Sequence, residues 1–142
     1  MNSLNQLETN DYLQKADNEK YSVASRLKFN FKALNNLRNQ PNDKHNRLDF
    51  LKVSVRFYNL NDLENYKKVT KIIIKKAQTA KDDKFLAMAQ SNMGDYFARK
   101  FVTDSAYYFY FKAQKIYTKL KDKQSVAKCL LNKAIQIGRA HV

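Results

Sequence analysis

The sequence predicts an all-α protein, a solenoid of about three 40-residue helix pairs, and three observations carry that expectation. Two glycines and one proline in 142 residues are too few for the tight turns of a sandwich or barrel. Apolar residues recur at helical spacing between polar breaks. The chain also resembles itself at a spacing of 40: Phe31-Lys32-Ala33 returns as Phe111-Lys112-Ala113, with Lys71-Ile72-Ile73 midway and Phe57 mapping onto Phe97. The breaks keep the same period, at Pro41-Asn42-Asp43, Lys81-Asp82-Asp83 and Lys121-Asp122-Lys123.

Residues 1–20 are poorly patterned, with Tyr12, Leu13 and Ala16 the only hint of a helix. Helices are then expected at about 22–38, around Phe31 and Ala33, and at about 45–59, up to Phe57. Over 62–79, Tyr66, Val69, Ile73 and Ala77 form one stripe and Lys67, Lys71 and Lys75 an outward one. A helix over 84–100 holds Ala87, Met93-Gly94 and Phe97. The next, 104–120, places Ala106, Tyr110, Ala113, Tyr117 and Leu120 at steps of four, three, four and three. The last, 124–136, opens a further pair that is cut short. Helix pairs of this length cannot bury their apolar faces alone, so each packs on its neighbours. Small residues such as Ala106 and Ala113 let paired helices approach closely.

Residues 137–142, Ile137-Gly138-Arg139-Ala140-His141-Val142, can be encoded by the opening of a common sequencing-library adapter. They are expected to be an adapter-derived tail, with the array of residues 21–136 truncated. The alternative is an ordinary helix C-terminus capped by Gly138.

Net charge is +14, from 27 basic and 13 acidic residues, which raises a nucleic-acid or acidic-membrane reading. Lysine outnumbers arginine by 21 to 6 and 15 residues are asparagine, a bias that AT-rich codons produce. The cluster Lys67, Lys68, Lys71, Lys75 and Lys76 therefore reads first as a solvated outer face, with phosphate or anionic headgroups the alternative. The run Tyr107-Tyr108-Phe109-Tyr110-Phe111 sweeps about 400° of helix, so its members cannot share one face. Burial of this run by its own and the next helix pair is the expectation; a stacking platform would want basic residues within it, and there are none.

No catalytic, cofactor or metal site is expected. Glycine is too sparse for a phosphate loop, and one cysteine with two histidines cannot make a four-ligand zinc site. Cys129 reads as a small buried hydrophobe, and His45 as a residue at a helix start without an acidic or thiol partner close in sequence. The longest apolar run, Ala106 to Phe111, is far short of a membrane span, and the first eight residues lack the basic start and apolar stretch of a signal peptide.

Residues 87–120 resemble a tetratricopeptide repeat. Met93-Gly94 stands for the Leu-Gly pair, Phe97 for the following Tyr, and Ala106 and Ala113 for the two small residues with Tyr110 between them. Gln90 replaces the early Trp and Thr118 the closing Pro, and the neighbouring units match less well. The stretches Gly94-Asp95-Tyr96-Phe97, Asp104-Ser105-Ala106-Tyr107-Tyr108 and Lys112-Ala113-Gln114-Lys115-Ile116-Tyr117 are similar to the repeat regions of bacterial sensor histidine kinases and related helix-turn-helix regulators. The resemblance implies a right-handed helical-hairpin solenoid acting as a protein-interaction or sensing scaffold, the input region of a larger signal-transduction protein. The kinase's phospho-acceptor His and nucleotide-binding glycines have no counterpart here. A free-standing repeat adaptor and a basic nucleic-acid binder are the alternatives, the latter with no specific nucleic acid expected.

By position, the resemblance also implies a concave groove for a protein or peptide ligand. Its candidates are Lys52, Val55 and Tyr58, then Asn92, Asp95 and Arg99, then Lys128 and Asn132. The compartment stays open, because repeats of the resembled family usually stand outside the inner membrane, behind a signal peptide.

Overall fold

A computed structural model describes residues 3–141 of the chain. Among them the secondary structure is all α: α1 (Ser3–Asp17), α2 (Val23–Arg38), α3 (Lys44–Asn59), α4 (Leu63–Ala80), α5 (Asp83–Arg99), α6 (Thr103–Lys119) and α7 (Lys123–Ala140). The chain divides into two compact units, Met1–Val69 and Thr70–Val142, with the division inside α4.

From α2 to α6 the helix ends fall within one residue of the expected ones. The termini differ. Residues 3–17 form a full helix whose apolar pattern is weak because polar groups hold it. Leu13, Ala16 and Thr9 are buried, and Gln40 Nε2 donates to Thr9 Oγ1 (3.1 Å). Arg26 Nε donates to the Ala16 carbonyl (2.8 Å), and Arg56 forms a two-pronged ion pair with Asp17. Contacts spanning 10 to 39 residues leave no trace in a local pattern. At the other end α7 continues past Gln136 to Ala140, so Gly138 lies inside the helix and His141 is the cap. Arg139 Nη1 donates to the Ala98 carbonyl (3.0 Å), with its guanidinium over the Phe101 ring.

The first unit has a core of Leu34, Leu37, Phe50, Val53, Phe57 and Val69, and its buried amides are put to use across helices. Asn30 Nδ2 donates to the Val53 carbonyl (3.0 Å) and Asn46 Nδ2 to the Leu37 carbonyl (3.1 Å). Each ties two helices at a fixed register, since an unpaired buried amide is costly.

Four helix junctions share one geometry. Asn61, Lys81, Phe101 and Lys121 all have left-handed backbone, with φ of 62°, 55°, 58° and 58°, at intervals of twenty residues. Their N–H groups donate to the carbonyls of Tyr58, Gln78, Ala98 and Thr118 (3.1–3.2 Å). The next residue's N–H, from Asp62, Asp82, Val102 or Asp122, reaches back to Phe57, Ala77, Phe97 or Tyr117 (2.8–3.0 Å). This pair of bonds is a Schellman closure. Asp62, Asp82 and Asp122 then cap the following helix, each accepting from the N–H three residues on (3.1–3.2 Å). Two junction residues thus end one helix and start the next, which accounts for the 40-residue period of a helix pair.

None of the four left-handed residues is glycine, and an L side chain there costs about 1–2 kcal/mol. Lys81→Gly is therefore expected to stabilise the chain by up to ~1 kcal/mol, while Lys75→Gly on the exposed face of α4 should destabilise it by about 1 kcal/mol. Thermal unfolding of the two variants tests this, and shifts of the same sign would contradict the junction geometry.

In the second unit Ala87, Ala113, Tyr117 and Cys129 form a core cluster, with Met88, Ile116 and Val126 packed on it. At Gly94 on α5 the Tyr110 ring of α6 packs directly against the backbone. A Cβ there would stand 2.6 Å from the Tyr110 ring, so the ring occupies the space that a side chain would need.

Candidate functional site

The α5 and α7 candidates lie on neighbouring helices of the second unit. Asp95 feels the charge of Lys128 and acts on Cys129, while Arg139 reaches Ala98, so α7 runs alongside α5 in the same direction. Arg99 and Lys128 are exposed and Asn92 and Asn132 half-buried. All four are polar and two are basic, and their side-chain N–H groups are of the kind that donate to carbonyls and carboxylates.

Asp95 has a different task. Its Oδ1 accepts the Tyr110 hydroxyl (2.6 Å), so it holds the ring that fills the space above Gly94. Burial pushes its carboxyl above the ordinary carboxylate range, opposed by the Tyr110 hydrogen bond and the charge of Lys128. The folded chain therefore keeps this proton more tightly than the unfolded chain. Stability drawn from Asp95 falls as pH rises from the ordinary carboxylate value through the raised one. Asp17 has the opposite sign: the hydrogen bond from Arg56 holds its carboxyl low, so its contribution is present at neutral pH and is lost as pH falls through the folded value.

Asp95→Asn keeps an acceptor for Tyr110 and removes the buried ionisation. We expect this variant to be at least as stable as the parent at pH 7, with a flatter stability profile above about pH 4. Unfolding midpoints at the two pH values check it. A variant clearly weaker at pH 7 would mean that attraction to Lys128 outweighs the cost of burial.

The α3 candidates belong to the first unit. Lys52 Nζ lies 3.7 Å from Asp49 Oδ1, Val55 is exposed, and the Tyr58 ring packs on Tyr66 at 4.8 Å. Asp49 also corrects the reading of His45: one helical turn brings its Oδ2 to 3.4 Å from His45 Nε2. The i, i+4 spacing was the available signal.

The aromatic run is not wholly buried. Tyr110 faces the core, but Tyr107, Tyr108 and Phe111 are 36%, 53% and 41% exposed. Lysines from outside the run lie over the rings: Lys112 over Tyr108 (5.2 Å) and Phe109 (5.8 Å), Lys115 over Phe111 (5.5 Å), and Lys133 over Tyr107 (5.1 Å) and Phe111 (5.0 Å). Lys133 Nζ also donates to Gln114 Oε1 (2.7 Å). The exposed rings are thus already in contact with the chain's own cations.

On α4, Lys68, Lys71 and Lys75 are exposed, whereas Lys67 pairs with Glu64 at 3.3 Å. Cys129 is buried, and burial pushes its thiol up, so little thiolate forms at neutral pH. Burial likewise pushes Tyr117 to about 12. Among the described residues no three His, Cys, Asp or Glu side chains stand together to hold a metal ion, and no helix is long and apolar enough to cross a membrane.

No family model matches the sequence, and no curated protein matches it.

Proposed function

We propose that the chain is a protein-interaction scaffold whose helix pairs stack as a right-handed tetratricopeptide-like solenoid. It would serve as the input region of a larger signal-transduction protein of the sensor-kinase or transcription-regulator kind. The observation that supports this reading is the junction repeated at 61, 81, 101 and 121. Junctions that share one backbone geometry make similar helix pairs, and similar pairs present similar faces to a partner. On α5 and α7 that face carries Asn92, Arg99, Lys128 and Asn132, groups suited to the carbonyls and carboxylates of an extended peptide. Binding there would favour one orientation of neighbouring helix pairs and pass that preference to an output region.

The test is selection of binders from a displayed library of random peptides, followed by affinity measurement on the full chain. Peptides that bind the parent should lose about ten-fold or more on Arg99→Glu/Lys128→Glu, the loss of two charge-assisted contacts. Recovery of no binder, or binders indifferent to both substitutions, would refute the reading.

A further inference from the structure

A groove of about 280 Å³ lies between α5 and α6, lined by residues other than the α5 and α7 candidates described above. Its lining includes Leu86 and Gln90 from α5, and Lys112, Lys115, Ile116 and Lys119 from α6. The three lysines stand at i, i+3 and i+7, so their ammonium groups share one helix face. No carboxylate pairs with any of them among the described residues. Lys112 and Lys115 rest against the aromatic run, which restrains their long side chains at the groove's edge before any ligand arrives.

Gln90 supplies the second observation. It is 3% exposed, and its Oε1 has no hydrogen-bond partner in the protein. A buried acceptor without a donor is a cost that an apolar residue at the same place would avoid.

From this combination we infer that the groove binds an extended acidic segment of a partner protein, with Asp or Glu side chains on the lysines and a backbone N–H on Gln90 Oε1. The two halves of the site together select this chemistry. A simple anion such as sulfate would satisfy the lysines but brings no donor for Gln90, and inorganic phosphate, which keeps a proton at neutral pH, brings a donor but no apolar group for Leu86 and Ile116. Single-stranded nucleic acid would bring donors on its bases, but the lining at Leu86 and Ile116 is aliphatic and offers no ring for them to stack on. A peptide strand carries carboxylates on its side chains and a donor on its backbone, and its apolar side chains fit Leu86 and Ile116.

Fluorescence anisotropy on the full chain tests this with a labelled peptide of alternating Glu and Leu and, separately, a labelled oligouridylate. The peptide should bind, and Lys115→Glu/Lys119→Glu should weaken it about ten-fold or more. Gln90→Leu should weaken it several-fold without lowering the unfolding temperature, because leucine fills the site and removes the unmet acceptor. The control Lys68→Glu/Lys71→Glu carries the same net charge on the exposed face of α4 and should leave affinity within about two-fold. Equal weakening by the control would reduce the effect to bulk charge and overturn the site. Unchanged binding by Gln90→Leu would overturn the backbone contact. Tighter binding of oligouridylate, lost in Lys115→Glu/Lys119→Glu, would overturn the peptide in favour of nucleic acid.

Discussion

Phe57→Ala is expected to remove about 3–5 kcal/mol of folding stability, the largest loss from any single substitution considered. The ring is fully buried in the first unit and packs against Phe31 with centroids 4.9 Å apart. Truncation leaves a cavity that helices fixed by Asn30 and Asn46 cannot easily collapse to fill. The same residue's carbonyl closes α3 by accepting the Asp62 N–H (2.8 Å), so packing and helix termination meet at one position. Against a total stability of roughly 5–15 kcal/mol this is a large fraction, visible as a lower midpoint in urea unfolding followed by circular dichroism. A loss below about 1 kcal/mol would mean that Phe57 does not anchor this core.

Gly94→Ala pits two effects against each other. In an exposed helix the change would gain about 1 kcal/mol from propensity. Here the new Cβ would meet the Tyr110 ring at 2.6 Å, and that ring is buried at 3% exposure and tethered to Asp95, so it has little room to yield. Overpacking of this kind costs about 1–3 kcal/mol, and we expect it to win, lowering the unfolding temperature by several degrees. A double-mutant cycle isolates the cause. In a Tyr110→Leu background the ring is gone and Gly94→Ala should become neutral or stabilising. An equal loss in both backgrounds would place the strain elsewhere.

Helices α2 to α6 were legible because their cores repeat at helical spacing within one segment. The polar breaks at 81 and 121 were legible as breaks, but their geometry was not: Lys81, Phe101 and Lys121 occupy a backbone conformation for which glycine is the usual marker. The same geometry recurs every twenty residues, and it was hidden because Phe101-Val102 shares no side-chain chemistry with Lys81-Asp82. Helix α1 escaped because its support comes from Arg26 on α2, Gln40 in the connection that follows it and Arg56 on α3, all distant in sequence. Of the candidate site, the resemblance implied surface positions for Arg99 and Lys128, which are exposed, but could not show that Asp95 is committed to Tyr110, a contact between helices. The lysines that cover the aromatic run were likewise missed, since Lys112 and Lys115 lie just beyond it and Lys133 comes from α7.

The proposed function requires a peptide to bind through α5 and α7. The most direct measurement is amide chemical-shift perturbation on titrating the isotopically labelled full chain with a peptide selected by display. The largest shifts are expected to cluster at Asn92, Arg99, Lys128 and Asn132 and to saturate with one midpoint. Shifts confined to other helices, or scattered without saturation, would contradict it.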